Sequence, residues 1–491
     1  MSFVEPRGRA KLPRVKKSDS TRQRTAAPVL NWPGKRAVTP LVCHPAVQLE
    51  SHGEAREGWR HALYWGDNLH VMGHLLERFR SRIQLVYIDP PFGSQASYES
   101  RVELRGPRAS GAPRQSVKEV QYDDIWEDSE YLQLMYERLS VLRELLSLEG
   151  SVVVHCDASR SHHLRCLLDE VFGAGSFLNE IYWHYYNKMP DTRKGLFPRA
   201  TDTLLWYARQ RGEHQFTPLE QKREEPVKQL VRRKHQGRMV NARDAQGKLL
   251  YRTSETRVVD NVWRLPMLQP ADKVERLGYP TQKPEALLER VLLAATRPGD
   301  LVFDAFMGSG TTLGVATKLG RRCLGADSNP KAVQLTARRL SQLAQSVARG
   351  ETPGVKNGLS ESRAETKPRW YLGFDVFSVA PGAGQGAAHR PTTTSSVEVV
   401  VEGQRLRVRR FGPQRLKASF GLEEGRLADW RPMVDAVFID FDYDGQVLRP
   451  SVSDVPGAKD LARGEYPLPP QVGTIRVKIV DVLGDVHEAQ V

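Results

Sequence analysis

Asp89-Pro90-Pro91-Phe92 closes the apolar run Leu85-Val86-Tyr87-Ile88. An acid, two prolines and an aromatic ring at the mouth of a buried strand can hold a flat, amino-bearing ring. They can also draw hydrogen off its nitrogen. Proline fixes φ and offers no N–H, so such a stretch is rigid and rich in acceptors. Standing alone, the tetrapeptide also reads as a rigid corner between strand and loop.

A second strand end lies far downstream, in Asp304-Ala305-Phe306-Met307-Gly308-Ser309-Gly310-Thr311-Thr312. Gly308 and Gly310 remove side chains where a ligand must approach the backbone. Thr311 opens a helix whose first N–H groups face the same place. A phosphate loop would carry Lys before the Thr, but Gly310 stands there, which argues against a nucleotide triphosphate. An amino-acid carboxylate suits a helix N-terminus without a lysine. Further on, Cys323-Leu324-Gly325-Ala326-Asp327 ends another strand with an acid. That spacing, about 20 residues, suits a carboxylate that grips ribose hydroxyls. S-adenosylmethionine carries both a carboxylate and a ribose.

These ends need a frame. Residues 62–65 read as a short strand ending at Gly66-Asp67-Asn68, and Leu69, Met72, Leu75, Leu76 and Phe79 follow at helical spacing. The continuous run 85–88 predicts a strand covered on both faces. Residues 131–148 predict an amphipathic helix, 151–155 a buried strand and 163–172 a further helix. After Thr281 the pattern resumes as helix 284–295, strand 301–303, helix 311–319, strand 323–326 and helix 330–343. Strands alternating with helices predict an α/β fold, doubly wound around a mostly parallel sheet. Ligands of such sheets collect at the carboxyl ends of strands. Asp89 and Asp304 should therefore point into one crevice.

From residue 62 to residue 340 the chain resembles the β-class amino-group DNA methyltransferases. The order of motifs identifies the class: Asp-Pro-Pro-Phe at Asp89, a recognition region, then Phe-x-Gly-x-Gly from Phe306 to Gly310. Gly278-Tyr279-Pro280-Thr281-Gln282-Lys283-Pro284, residues 123–126 and Asp202-Thr203-Leu204-Leu205-Trp206-Tyr207 are similar to further family elements. The resemblance implies a permuted class I methyltransferase fold and methyl transfer from S-adenosylmethionine to the N6 amine of adenine. Under it, Asp89 and the Pro90 carbonyl accept hydrogen bonds from that amine, Pro91 stiffens the corner and Phe92 stacks on the base. Two acceptors pull the nitrogen toward tetrahedral geometry and free a lone pair that the ring otherwise delocalises. Transfer then needs in-line positioning, and a carboxylate where positive charge develops. A base inside a duplex cannot reach such a pocket and must be flipped out. No metal or covalent nucleophile is called for.

The resemblance also implies cofactor contacts at Asp304, Phe306, Gly308, Gly310, Thr311, Asp327, Thr281, Lys283 and Asp67. Two residues depart from the family pattern. Ala305 stands in place of proline, and Asp327 in place of a longer Glu. Asp at 89, rather than Ser, favours adenine N6 over cytosine N4 in family practice.

Composition bounds the rest. A chain of 491 residues predicts two or three domains. A net charge of +14 points to a polyanionic partner, nucleic acid before membrane. No stretch approaches the ~20 apolar residues of a membrane span. Cys43, Cys156, Cys166 and Cys323 form no C-x-x-C pair, as expected of free thiols in a reducing cytoplasm. Residues 1–45 predict a disordered basic arm, 55–345 the methyltransferase domain, 346–369 a linker and 370–491 a β-sandwich-like accessory domain. The target-recognition region is expected over 187–272, where Arg193, Lys194, Arg199, Arg232, Arg233, Lys234 and Arg238 would meet DNA.

Two other clusters are set aside. His155, Cys156, His162, His163 and Cys166 lack the paired spacing of a zinc site. Asp440-Phe441-Asp442-Tyr443-Asp444-Gly445 opens like a calcium loop, but Ser451 stands where Glu is required. The expected partner is double-stranded DNA, with a restriction subunit as a second candidate and a monomer or homodimer as the working unit. Cytosine N4 methylation, RNA methylation and a non-catalytic DNA-binding subunit are the alternatives.

Overall fold

The computed structural model describes residues 29–39, 41–92, 96–106, 116–192, 195–235, 237–272, 275–353, 369–381, 397–422, 429–457 and 459–491. Its main sheet has ten strands. In chain order they are β1 (Ala46–His52), β2 (His61–Trp65), β3 (Ile83–Ile88), β4 (Leu146–Cys156), β5 (Phe177–His184), β6 (Thr201–Ala208), β7 (Val262–Arg264), β8 (Leu301–Asp304), β9 (Arg322–Asp327) and β10 (Phe374–Val379). In space the order is β1-β10-β2-β9-β8-β3-β4-β6-β5-β7. From β10 to β4 every neighbour is parallel. The pairs β1–β10, β4–β6 and β6–β5 are antiparallel.

Side chains of a strand alternate between faces, so each strand serves two cores. Val86 and Ile88 of β3 pack with Val71, Met72, Leu139 and Leu142. These come from helices α1 (Asn68–Phe79) and α2 (Asp128–Leu145), joined on that face by α3 (Ser161–Leu168). Leu85 and Tyr87 face the other way, toward Leu288, Val291, Leu313 and Val333. Those belong to α4 (Glu285–Ala295), α5 (Thr311–Lys318) and α6 (Pro330–Ala348). Burial on both faces is why β3 reads as an unbroken apolar run.

Strands β8 and β3 lie side by side, with Val302 opposite Leu85 and Phe303 opposite Val86. From β8 the chain continues to β9 on one side, and from β3 to β4 on the other. The loops after these two strands diverge and leave a crevice at their carboxyl ends. The α/β core over residues 62–340 therefore has the layered form that the sequence predicts.

Several boundaries need correction. Trp32 is buried and meets Tyr136 edge-on, and Lys35 Nζ lies 2.7 Å from Glu170. The packed chain thus begins before residue 45, while residues 1–28 of the expected arm lie outside the described residues. The expected recognition region of 187–272 includes β6, a main-sheet strand paired with β4. Helix α6 continues to Ala348, into the expected linker, whose residues 354–368 lie outside the described ones. The accessory domain cannot start at 370, since β10 pairs with β2 and β1 of the main sheet. A strand's own alternation shows that it is a strand, not which sheet receives it.

The remaining C-terminal segments form two antiparallel sheets, of three and four strands. They face each other across Leu406, Val408, Phe411, Val437, Ile439, Tyr466, Val477 and Ile479. This unit is docked rather than free. Lys478 Nζ reaches Glu50 Oε1 at 2.5 Å and Gln334 Oε1 at 2.7 Å. The hairpin of Ala96–Glu103 and Ser116–Asp124 also lays Val102 and Val117 on the same core. No helix among the described residues is long and apolar enough to cross a membrane.

Candidate active site

The crevice between β8 and β3 holds a cavity of about 270 Å³. Ten of the residues singled out in the sequence line it: Asp67, Asp89, Pro91, Thr281, Lys283, Asp304, Phe306, Gly308, Thr311 and Asp327. Gly310 does not line it but sits at the N-cap of α5. Pro90 and Phe92 also fall outside the lining. The Phe92 backbone is clamped, its N–H donating to Asp124 at 3.2 Å and its carbonyl accepting from Arg160 at 2.6 Å.

At one end lie Asp304 and Asp327. Asp304 is buried, and its Oδ1 accepts the Phe306 N–H at 3.0 Å. Burial pushes its carboxyl up to about 7. Burial likewise pushes Asp327 up to about 6. The oxygens of Asp327 hold the glycine turn, accepting from Gly308 N at 2.9 Å and Asn329 N at 2.8 Å. Gly308 and Gly310 have φ of +49° and +69°, which disfavours any side chain. Space forbids one too: a Cβ on Gly310 would lie 2.5 Å from the Thr336 hydroxyl.

Asp67 caps α1 by accepting the Leu69 N–H at 2.8 Å. Its other oxygen takes Arg138 Nη2 at 2.9 Å. Arg138 also donates to Asn68, whose amide reaches the Ala305 carbonyl at 2.9 Å. This chain of bonds ties α2, α1 and the loop after β8 together. Sequence reasoning missed Arg138. Its signal was a cation on the inward face of α2, between Met135 and Leu142 at helical spacing.

At the other end, Asp89 Oδ2 is paired with the Lys283 ammonium. Lys283 was expected beside the cofactor, and the structure places its Nζ on the acid of the other motif. Thr281 carries it there with φ of +60°, a left-handed backbone for a β-branched residue. Strain of this kind costs about 1–3 kcal/mol and persists where the surroundings enforce it. Asp89 Oδ1 is buried and makes no hydrogen bond among the described residues.

His155 Nδ1 stands 3.8 Å from that oxygen. His155 is fully buried at the end of β4, within 3.0 Å of the Tyr87 hydroxyl and 3.3 Å of Asp202 Oδ2. Tyr185 donates to the other oxygen of Asp202 at 3.3 Å. Burial opposes ionisation of Asp202, but the hydrogen bonds from His155 and Tyr185 and the charge of Lys283, joined by that of His155 once it is protonated, hold the carboxyl below its ordinary range. In the sequence His155 had been set aside with the zinc candidates. The readable signal was position, since β4 runs beside β3 and its last residues must flank Asp89.

The basic residues lie elsewhere. Arg232, Arg233, Lys234 and Arg238 are exposed on the hairpin of Arg232–His235 and Arg238–Asn241. Arg199 bonds Asp157 at 3.1 Å. Arg193 and Lys194 lie outside the described residues.

Residues 83–338 match the model of a DNA methylase family of N6 and N4 methyltransferases, just over half of the 491 residues. The chain is 24% identical over 326 residues to the Type II methyltransferase M.EcaI of Enterobacter cloacae, covering 56% of this chain and 68% of that one. It is 27% identical over 262 residues to the Type II methyltransferase M2.DpnII of Streptococcus pneumoniae, covering 52% and 82%. The crystal structure of an M1.HpyAVI–SAM complex aligns with a TM-score of 0.36 and 19% identity, over 57% of this chain and 98% of that one.

Proposed function

The chain belongs to the N6/N4 amino-group DNA methylase family, and from that premise we propose that it methylates the N6 amine of adenine in double-stranded DNA. The target base is flipped from the duplex to reach Asp89. The methyl donor is S-adenosylmethionine.

The cavity fits that donor. Asp304 is a desolvated carboxyl on which Asp89 and Asp327 add repulsion. A cationic ligand relieves that state, and S-adenosylmethionine carries a sulfonium and an ammonium. When bound, it supplies an electrophilic methyl group. Asp304 would hold it by charge and Asp327 by its ribose hydroxyls, and the glycine turn would let the backbone approach it closely.

One observation carries the catalytic reading: Asp89 Oδ1 is a buried acceptor with nothing bound to it, in the same cavity as those two carboxyls. A buried acceptor left unmade costs about 1–3 kcal/mol, which an incoming amine N–H recovers. Asp89 and the Pro90 carbonyl accept from the amine, and Phe92 offers its ring to the base. As the nitrogen becomes cationic, a fixed carboxylate stabilises it without reorganising. The exposed basic hairpin holds phosphates.

The test is label transfer from methyl-labelled S-adenosylmethionine to duplex DNA, followed by nucleoside analysis. Label in N6-methyladenine, lost in Asp89→Ala, is the expected result. Label in N4-methylcytosine would move the reading to cytosine, and label in RNA alone would overturn it.

A further inference from the structure

Resting on this amine-methylation reading, we propose that His155 takes up the proton that the target amine releases, with Asp202 stabilising the imidazolium that forms. His155 thus serves the reaction through Asp89, as the group that receives the proton from that carboxylate.

The argument begins with which nitrogen carries hydrogen. Asp202 lies against Nε2 at 3.3 Å, and an ionised carboxylate there fixes the hydrogen on Nε2. Tyr185 holds the second oxygen of Asp202, so the acid is aimed from two sides. Nδ1 is left with its lone pair, accepting from the Tyr87 hydroxyl at 3.0 Å. Burial keeps the Tyr87 hydroxyl well above its ordinary range, so it stays a neutral rotor. Asp89 Oδ1 lies 3.8 Å from Nδ1, close to bonding distance yet unbonded. A small movement of either side chain closes that gap.

The groups facing His155 come from several elements. Tyr87 and Asp89 belong to β3 and its end, and Asp202 to β6. The Trp183 ring of β5 meets the imidazole edge-on, and the Phe92 ring lies 6.1 Å from it. Lys283 comes from the segment before α4 and bonds the far oxygen of Asp89. One cation and two carboxylates therefore surround the imidazole, and a proton on it is electrostatically matched.

The balance of the step is simple. The amine nitrogen gains a methyl group as the carbon–sulfur bond breaks, and the nitrogen becomes cationic. It then loses one N–H proton to Asp89 Oδ1. That proton passes to Nδ1, the Tyr87 hydroxyl turns to accept from the new N–H, and Asp89 is restored. The product is a neutral secondary amine, and the proton rests on His155 until it leaves to solvent.

The experiment is single-turnover methylation of duplex DNA by the full chain, from about pH 5.5 to about pH 9, across the range in which imidazole titrates. Wild type, His155→Gln and Asp202→Asn are compared, with S-adenosylmethionine affinity and thermal unfolding measured alongside. The wild-type rate should fall on the acidic side, where a protonated imidazole cannot accept. His155→Gln should be roughly 10- to 100-fold slower, the size of a lost general base, and should lack that acid limb. Asp202→Asn keeps the imidazole but loses the carboxylate, and should shift the limb. If His155→Gln fails to fold, Asp202→Asn alone decides. Wild type labelling adenine while the folded variants keep its acid limb unmoved overturns the relay only. Wild type labelling no DNA base overturns the functional reading as well.

Discussion

The two ends of the cleft handle charge in opposite ways. At the glycine-turn end, Asp304 and Asp327 are desolvated carboxyls pushed up to about 7 and about 6. At the other end, Asp89 already holds the Lys283 ammonium, and Asp202 holds His155. On the proposed reading, the first end is completed by the cationic donor, and the second is built in advance for a neutral amine that turns positive only during reaction. A preformed anionic site costs no reorganisation at that moment, which is how such electrostatics lowers a barrier. The contrast teaches that carboxylates at neighbouring strand ends do different work according to what lies beside them.

The largest break in this comparison comes from Asp89→Asn. It should lower the methylation rate by about 10²–10³-fold, the scale of losing one preorganised partner of developing charge. Affinity for S-adenosylmethionine should change far less than the rate, because Asp89 acts on the donor end only through its repulsion on Asp304. Single-turnover rates and equilibrium binding on one preparation check both halves. A variant that loses binding and rate together would show that the two ends are not separable.

Lys283→Met tests the target end from its other side. It removes the cation from Asp89 Oδ2. A bond to a charged group is worth about 1.5–3 kcal/mol, so the rate should drop by about 10- to 100-fold. The donor site should be less affected, although Lys283 lines the same cavity. Normal rates in this variant would show that Asp89 is aimed by its backbone alone.

How much of this was legible in the residues follows from what local sequence encodes. Asp89, Asp304 and the glycine turn were legible through their order along the chain, since each alone also reads as a plain structural corner or turn. Their meeting in one cavity followed from the topology of a parallel sheet. Arg138 and His155 were harder, since each is a polar residue inside an element and makes sense only when its neighbours are known. The attachment of β10 to β2 was not legible at all. Its partner lies some three hundred positions away, and alternation of Phe374 and Val376 carries no address. The turnaround of Lys283 onto Asp89 needed the left-handed Thr281, which no propensity predicts.

A smaller effect separates the ends by pH. The Asp304 carboxyl is raised in the folded chain from 3.8 to about 7. The folded state therefore binds a proton that the unfolded state has lost over that window. This contribution to stability is complete below pH 3.8 and is lost as pH rises through about 7. A cationic ligand prefers the ionised carboxyl, so S-adenosylmethionine affinity should rise with pH from 5 to 8, by up to about tenfold per pH unit below the raised value of a linked carboxyl. Calorimetry in buffers of different ionisation heat should find protons released on binding near pH 6 to 7. Asp304→Asn should make the ligand-free chain more stable at pH 8 and weaken that proton release.

The smallest effects belong to the hairpin that carries Arg232, Arg233, Lys234 and Arg238. Its side chains are exposed and lie on a two-stranded ribbon outside the main sheet. Neighbouring residues on such a ribbon point to opposite faces, so Arg232 and Lys234 share one side and Arg233 the other. A single duplex cannot contact both sides equally. Neutralising a phosphate-contacting cation reduces the slope of log affinity against log salt by about 0.9. One of the two faces should therefore show that change on substitution to Ala, with a several-fold loss of DNA affinity, and the other should not. The methylation rate at saturating DNA should stay level for both, because on the proposed reading these residues hold the polymer and not the base. Equal losses for Arg232→Ala and Arg233→Ala would mean that the ribbon inserts edge-on into a groove, where both faces meet phosphate walls.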